Sequence, residues 1–307
     1  MDTGFPEIKD VSETTAGVNG TCDFLIPEGR YVFAAIVLLT LTVFWSPLQE
    51  LLAFARHSEF SFIPVVPVIS AFLVIARRRQ VLAGSKPCPV LGALIIVLGI
   101  ILLSMAKIIS GLKSADRLLL PALAIVTALW GLFIVKYGIT AARKALLPLG
   151  LLLFLVPTPQ RVIGEAIAFM QHGSAILAYS AFRAIGVPAM RDGVIISLPR
   201  LTIEVAPECS GIRSSMSLLI ITLAGANLYL RSTWNKLLLA ALLIPLSIVK
   251  NAIRIVVLST LAIYVDSRFI TGPLHHRGGI LFFFIAFTML IPIVILMRWY
   301  EGREYRV

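Results

Sequence analysis

The sequence predicts an all-α polytopic membrane protein with about eight transmembrane helices, an interfacial helix and a small β-hairpin on the outer face. Two observations carry this. The 307-residue chain is 58% hydrophobic and only 14% charged, against about 45–50% and about 25% in an ordinary soluble domain. Its apolar residues also fall in continuous runs of about 20, each closed by Arg or Lys, long enough to cross a hydrocarbon core of about 30 Å as a helix. Lipid gives backbone N–H and C=O groups no partner, so such runs must be helical. The alternating strands of a barrel would read differently.

Taken in order, spans are expected near residues 31–52, 60–77, 89–109, 118–137, 144–157, 210–230, 236–265 and 279–298. Before them, residues 1–29 read as a flexible acidic tail (Asp2, Glu7, Asp10, Glu13, Asp23, Glu28) without the basic start of a signal peptide. Residues 30–307 are expected to form one transmembrane domain with an outer-face insertion over 158–209. That insertion is less apolar and is punctuated by Pro159, Pro188, Pro199 and Pro207. Over 160–185, Arg161, Glu165, His172 and Arg183 interrupt an apolar helical pattern, which predicts an interfacial or re-entrant helix. The β-branched stretches Gly193–Ile196 and Leu201–Val205 predict a hairpin turning at Pro199-Arg200.

The net charge of +11 does not point to nucleic acid. The bases sit at span ends, as in Arg77-Arg78-Arg79 and Arg298/Arg303/Arg306, and no aromatic-basic interleaving accompanies them. They read as topology anchors. The basic loops after spans 2, 4 and 6 and the basic C-terminus all fall inside under one orientation. Segments 53–59, 110–117, 158–209 and 266–278 then fall outside, with all four histidines (His57, His172, His275, His276) and Cys209. The three cysteines, Cys22, Cys88 and Cys209, are too scattered for a metal site or a disulfide framework. No metal and no cofactor are expected.

Three constellations carry candidate chemistry. Cys209 opens an apolar run, where the positive end of a helix dipole favours thiolate, and Arg213 lies on the same helix face. The bland alternative is a small hydrophobe at a helix end. Arg254 lies inside a span with Asn251 one turn earlier. An intramembrane guanidinium is costly and always charged, which suits a carbonyl or oxyanion binder, with Asn251 orienting the guanidinium or a substrate carbonyl. The alternatives are a polar bridge between helices, or an ion pathway in a secondary transporter or channel. His275 and His276 precede the last span and could move a proton, or be a solvated loop pair. A Cys and a His in separate segments of one face suit a thiol acyl-transfer enzyme.

These segments resemble the exosortase/archaeosortase family. Glu208-Cys209-Ser210-Gly211-Ile212-Arg213 is similar to its Cys-Ser-Gly-aliphatic-Arg signature, and Asn251-Ala252-Ile253-Arg254-Ile255 to its Asn-x-x-Arg motif. His275 with Gly279 is similar to its His-x-x-x-Gly motif. Weaker similarity runs from Glu59-Phe60-Ser61 to Pro67 and through Pro157, Pro159 and 188–209, so that about 59–285 is covered. Phe62 stands where the family often has His, and His276-Arg277 where an acidic residue is common.

The resemblance implies a membrane-embedded cysteine transpeptidase of the cytoplasmic membrane with its site toward the outer face. Its partners would be exported proteins ending in a short motif such as Pro-Glu-Pro, a transmembrane helix and a basic cluster. It would pass them to an acceptor of unspecified chemistry, a lipid or a glycan, within the membrane lipid. Cys209 would be the nucleophile, Arg254 the oxyanion or carbonyl binder and His275 the acid/base. Asn251, Arg213, Ser210 and His276 would be supporting or alternative residues.

Overall fold

Long helices dominate the computed structural model, which describes residues 29–56, 59–108, 116–199, 201–207, 211–266, 268 and 279–304. The protein is a polytopic, mostly helical membrane protein. Among the described residues five helices are long and apolar enough to cross a membrane, or six if Leu146–Leu155 and Gln160–Ala184 together make one broken span. Fewer helices of this kind are found among the described residues than the eight spans expected from hydropathy, and the causes are local. By contacts the chain divides into two compact units, residues 1–53 with 70–157 and residues 54–69 with 158–307.

The first unit holds most of α1 (Gly29–Arg56), the end of α2 (Val66–Ala76), then α3 (Pro89–Ile108), α4 (Leu119–Lys144) and α5 (Leu146–Leu151). Span 2 is lost because the run 60–77 opens with a 3-10 turn at Ile63–Val65, leaving α2 only 11 residues. That is about 16 Å of helix, about half of a hydrocarbon core. Spans 4 and 5 are redrawn. α4 runs through the expected loop to Lys144, and beyond it come only the six residues of α5 and a 3-10 turn at Leu152–Leu155. Two hydrogen bonds anchor this short piece: Trp130 Nε1 donates to Leu149 O at 2.9 Å and Ser70 Oγ to Pro148 O at 2.8 Å.

α3 and α4 approach closely because glycines line the contact. A Cβ on Gly92 would lie 2.6 Å from Val135 N, and one on Gly131 would lie 2.8 Å from Gly92 O. Small residues at such a crossing bring the backbones within dispersion range, which lipid does not otherwise favour. α4 also carries a break at Gly138, with φ 75° and ψ 176°, where a Cβ would overlap Lys86 O. We expect Gly138→Ala to destabilise the protein by about 3–5 kcal/mol, since neither the dihedrals nor the backbone clash can be relieved locally. A thermal-shift measurement on the purified protein would show a large drop in Tm, and an unchanged Tm would contradict the assigned geometry. Beside this break, Cys88 is 3% exposed and is one half of a disulfide.

The second unit contains α6 (Gln160–Ala184), strands β1 (Met190–Asp192), β2 (Ile195–Leu198) and β3 (Leu201–Glu204), then α7 (Ile212–Tyr229), α8 (Thr233–Tyr264) and α9 (Gly279–Glu304). The helix expected over 160–185 forms. The expected hairpin forms as β2–β3, closing at the pair Leu198–Leu201. β1 adds a third antiparallel strand on β2, with Asp192 opposite Ile195. The sequence does not announce β1, because all three of its residues are exposed and no apolar alternation marks them.

One core joins α6, the sheet and α8 through Ala175, Ala178, Phe182, Ile196, Leu198, Val205, Ala252 and Ile255. α6 lies close to α8 at Gly173, where a Cβ would meet the Ile248 side chain at 3.1 Å. A second core joins α7, α8 and α9 through Leu218, Ala226, Leu239, Leu243, Ala286 and Leu290. α7 is the expected span 6, but Arg213, three serines and Asn227 dilute its apolar character, and it is not among the five spanning candidates. Glu301 ties the far end of this bundle. Its carboxylate accepts the backbone N–H groups of Arg231 and Ser232 and the Asn235 amide, each at 2.9 Å. The Ser232 N–H has no partner within α8, and a carboxylate is well placed at that helix start.

Candidate functional site

α7 begins at Gly211, whose φ of 76° and ψ of 12° lie in the left-handed region. A glycine takes that conformation without the strain a side chain would bring. Its carbonyl is held three times: it accepts Ser215 N at 2.9 Å, Ser214 Oγ at 2.9 Å and Ser215 Oγ at 2.8 Å. The chain thus enters α7 through one fixed peptide. The space beside Gly211 is close but not closed. A Cβ there would lie 3.3 Å from Lys250 Nζ and 3.6 Å from Asn251 Oδ1.

Lys250 and Asn251 lie on the inward face of α8, which also buries Ser247, Ile255 and Leu258. Both are nearly inaccessible, at 2% and 1% exposure. Lys250 Nζ donates to Ser214 Oγ at 2.5 Å. Asn251 Nδ2 donates to Ser174 Oγ on α6 at 3.1 Å. Asn251 Oδ1 is buried and has no hydrogen-bond partner. An orphaned buried acceptor costs about 1–3 kcal/mol, so it is a position at which an N–H donor would be favoured. The sequence offered Asn251 as an orienter of a guanidinium or of a carbonyl. One of the two amide N–H groups goes to Ser174, so a second donor is left as well as the open Oδ1. As placed, Asn251 offers both.

One turn beyond, Arg254 lies half-buried on the same helix. At the start of α7, Arg213 Nε stands 3.9 Å from Glu59 Oε2, with side chains 54% and 37% exposed. Solvent-facing ion pairs of this kind contribute little stability. What the pair does is join the Glu59 segment to the first turn of α7. α6 completes the surroundings: Gln171 Nε2 donates to Val205 O at 2.5 Å, one turn before Ser174. One face of α6 therefore holds both the exit of β3 and Asn251.

Of the residues the sequence singles out, Asn251, Arg254 and Arg213 are placed in this second unit. Cys209, Ser210, His275 and His276 lie outside the described residues, as do Glu208 and His57. Sequence reasoning passed over Lys250, Ser174 and Ser214. Lys250 had a signal, since an ionisable residue deep in an apolar run points to function by its cost alone. Ser174 had none, because a serine in an apolar helix gains its meaning only from the partner across the helix contact.

Of the comparisons with known proteins, one gives a match. The family model described as transmembrane exosortase (Exosortase_EpsH) matches residues 45–292, more than three quarters of the chain. No curated protein matches, and no solved structure does. The matched range takes in the Glu59 segment, the Gly211 turn, the buried face of α8 and the region of His275. This chain belongs to the exosortase/archaeosortase family.

Proposed function

We propose that the protein is a cysteine transpeptidase that cleaves the C-terminal sorting signals of exported proteins through a thioester and passes the product to an acceptor. The family carries the coarser part, a membrane-embedded enzyme of the sorting-signal-processing kind. The observation that supports the finer part is the hydrogen bond from Lys250 Nζ to Ser214 Oγ, which ties the start of α7 to the Lys250–Asn251 pair. Consecutive Cα atoms are about 3.8 Å apart, so Cys209, two residues earlier, has its Cα within about 7.6 Å of Gly211. Two motifs some 40 residues apart in sequence thereby meet at one place in the second unit.

In this reading Cys209 attacks the scissile carbonyl, the C–N bond breaks and a thioester forms. His275 gives the leaving amine its proton, with His276 as the alternative. Arg254 stabilises the oxyanion, where a fixed guanidinium is worth most in a site shielded from water. Asn251 Oδ1 accepts an N–H of the bound peptide and so sets its register. Arg213, through Glu59, steadies the first turn of α7, and Ser210 is a supporting residue. The acceptor then attacks the thioester and releases Cys209. The site faces the outer side of the cytoplasmic membrane, residues 30–307 act as one catalytic domain, and the acceptor is a lipid or a glycan.

Reconstitution tests this. The protein in liposomes would be given a tagged protein ending in a short motif, a transmembrane helix and a basic cluster. The expected result is a shortened product that requires the enzyme. No shortened product, together with solute flux that depends on Arg254 and survives Cys209→Ala, would instead establish a transporter.

A further inference from the structure

Between α7 and α9 lies a groove of about 330 Å³, lined largely by apolar side chains such as Ile221, Phe287, Ile291 and Ile295. Its α7 wall is low at Gly225. A Cβ added there would meet nothing within 4 Å, so this glycine opens the groove and serves no close helix contact, unlike Gly92 and Gly131. The last residue of α9 to line the groove is Arg298, beside Tyr229, the last of α7. The Arg298 Cζ stands 5.9 Å from the centre of the Tyr229 ring. A ring face attracts a guanidinium but takes few of its five N–H donors. Among the described residues no carboxylate pairs with Arg298. Glu301, three residues on, is held by Arg231, Ser232 and Asn235.

The aromatic residues around this end give its depth. Trp299 and Tyr300 follow Arg298 and are 50% and 61% exposed. Trp234, 80% exposed, opens α8, whose start Glu301 ties to α9. Exposed Trp and Tyr at the ends of spans mark the headgroup level of a bilayer. Arg298 thus stands where lipid phosphates lie, with an apolar slot leading from it toward the hydrocarbon.

Any groove between membrane helices meets lipid. What selects among lipids here is a cation without a carboxylate at the headgroup end. We propose that the groove binds one anionic phospholipid, with an acyl chain along Ile291 and Ile295 and the phosphate on Arg298. The planar fork of a guanidinium suits phosphate oxygens, and basic pockets between spans recognise such headgroups. A sorting-signal helix fits less well, because a basic cluster ending here would meet a like charge. The proposal is independent of the thioester reading, in which no groove residue takes part.

The test is native mass spectrometry of the full chain released from detergent and titrated with phosphatidylglycerol. The unmodified protein should retain one phosphatidylglycerol, and should hold diacylglycerol of the same chains about fivefold more weakly or worse. Arg298→Gln should weaken phosphatidylglycerol binding by about fivefold, the worth of one basic residue at a lipid surface, and Arg298→Lys should recover part of it. Gly225→Leu puts a side chain into the groove and should displace the lipid with little change in Tm. Arg298→Gln changes an exposed side chain, so it decides the matter even if Gly225→Leu fails to fold. Equal retention of phosphatidylglycerol and diacylglycerol overturns the proposal, and so does Arg298→Gln binding that superposes on the unmodified protein. Lipid that is displaced by a synthetic sorting-signal helix, and is indifferent to Arg298→Gln, would give the groove to the substrate instead.

Discussion

Replacing Cys209 with alanine is expected to abolish conversion of a tagged substrate, with a loss of roughly a thousandfold or more in kcat. The size comes from the chemistry. Without the sulfur no thioester forms, and only binding and oxyanion stabilisation remain to act on a direct attack by water. Cys209→Ser should be nearly as damaging, because a hydroxyl stays protonated near neutral pH and is the weaker nucleophile. Substrate binding should survive, since neither variant touches Arg254 or Asn251. A co-purification of the alanine variant with uncleaved substrate would show that split. A nucleophilic Cys209 must also be free of crosslinks. Cys88 is half of a disulfide, and this account requires that Cys209 not be the other half. A mapped Cys88–Cys209 crosslink in active protein would contradict the nucleophile assignment.

The second large effect is expected at Arg254. Arg254→Met should lower kcat by about a hundredfold to a thousandfold, the usual cost of removing one oxyanion donor. Arg254→Lys should recover only part of it, because an ammonium on a flexible stem does not reproduce a planar fork of donors. KM should change less than kcat if the guanidinium acts mainly on charge that develops in the transition state. An Arg254→Met protein that folds, binds substrate and processes it at the unmodified rate would return Arg254 to the role of a polar bridge between helices.

How much of this could be read from the sequence differs from element to element. The helices Pro89–Ile108 and Thr233–Tyr264 lie where hydropathy places them, because a continuous apolar run has one outcome in lipid. The helix over 160–185 and the β2–β3 hairpin were also legible, from charge spacing and from β-branched stretches flanking a proline. Hydropathy fails where a single residue redirects the chain. Gly138 lets α4 absorb an expected loop through an irregular turn closed over Lys86 O, and averaging over about 20 residues hides it. Pro64 sits in the 3-10 turn that shortens span 2.

The site shows the same division. Asn251 and Arg254 were legible as a pair because helix periodicity puts them one turn apart. Glu59 was visible only as part of a motif, and its partnership with Arg213 spans more than 150 residues of sequence that periodicity does not connect. Ser174 meets Asn251 because Gly173 brings α6 against Ile248, a packing detail with no signature in either helix alone. Lys250 was in plain view beside Asn251. Its weight comes from burial and from the lack of a balancing carboxylate among the described residues, and both are properties of the fold.

The central claim is that processing runs through a thioester on Cys209. Brief mixing of enzyme with substrate, an acid quench and mass spectrometry of the protein's peptides would look for that species directly. The predicted result is an acyl adduct on the peptide bearing Cys209, removed by neutral hydroxylamine and missing from Cys209→Ala. Substrate turnover with the adduct on another residue, such as Ser214, or turnover that persists in Cys209→Ala, would contradict it.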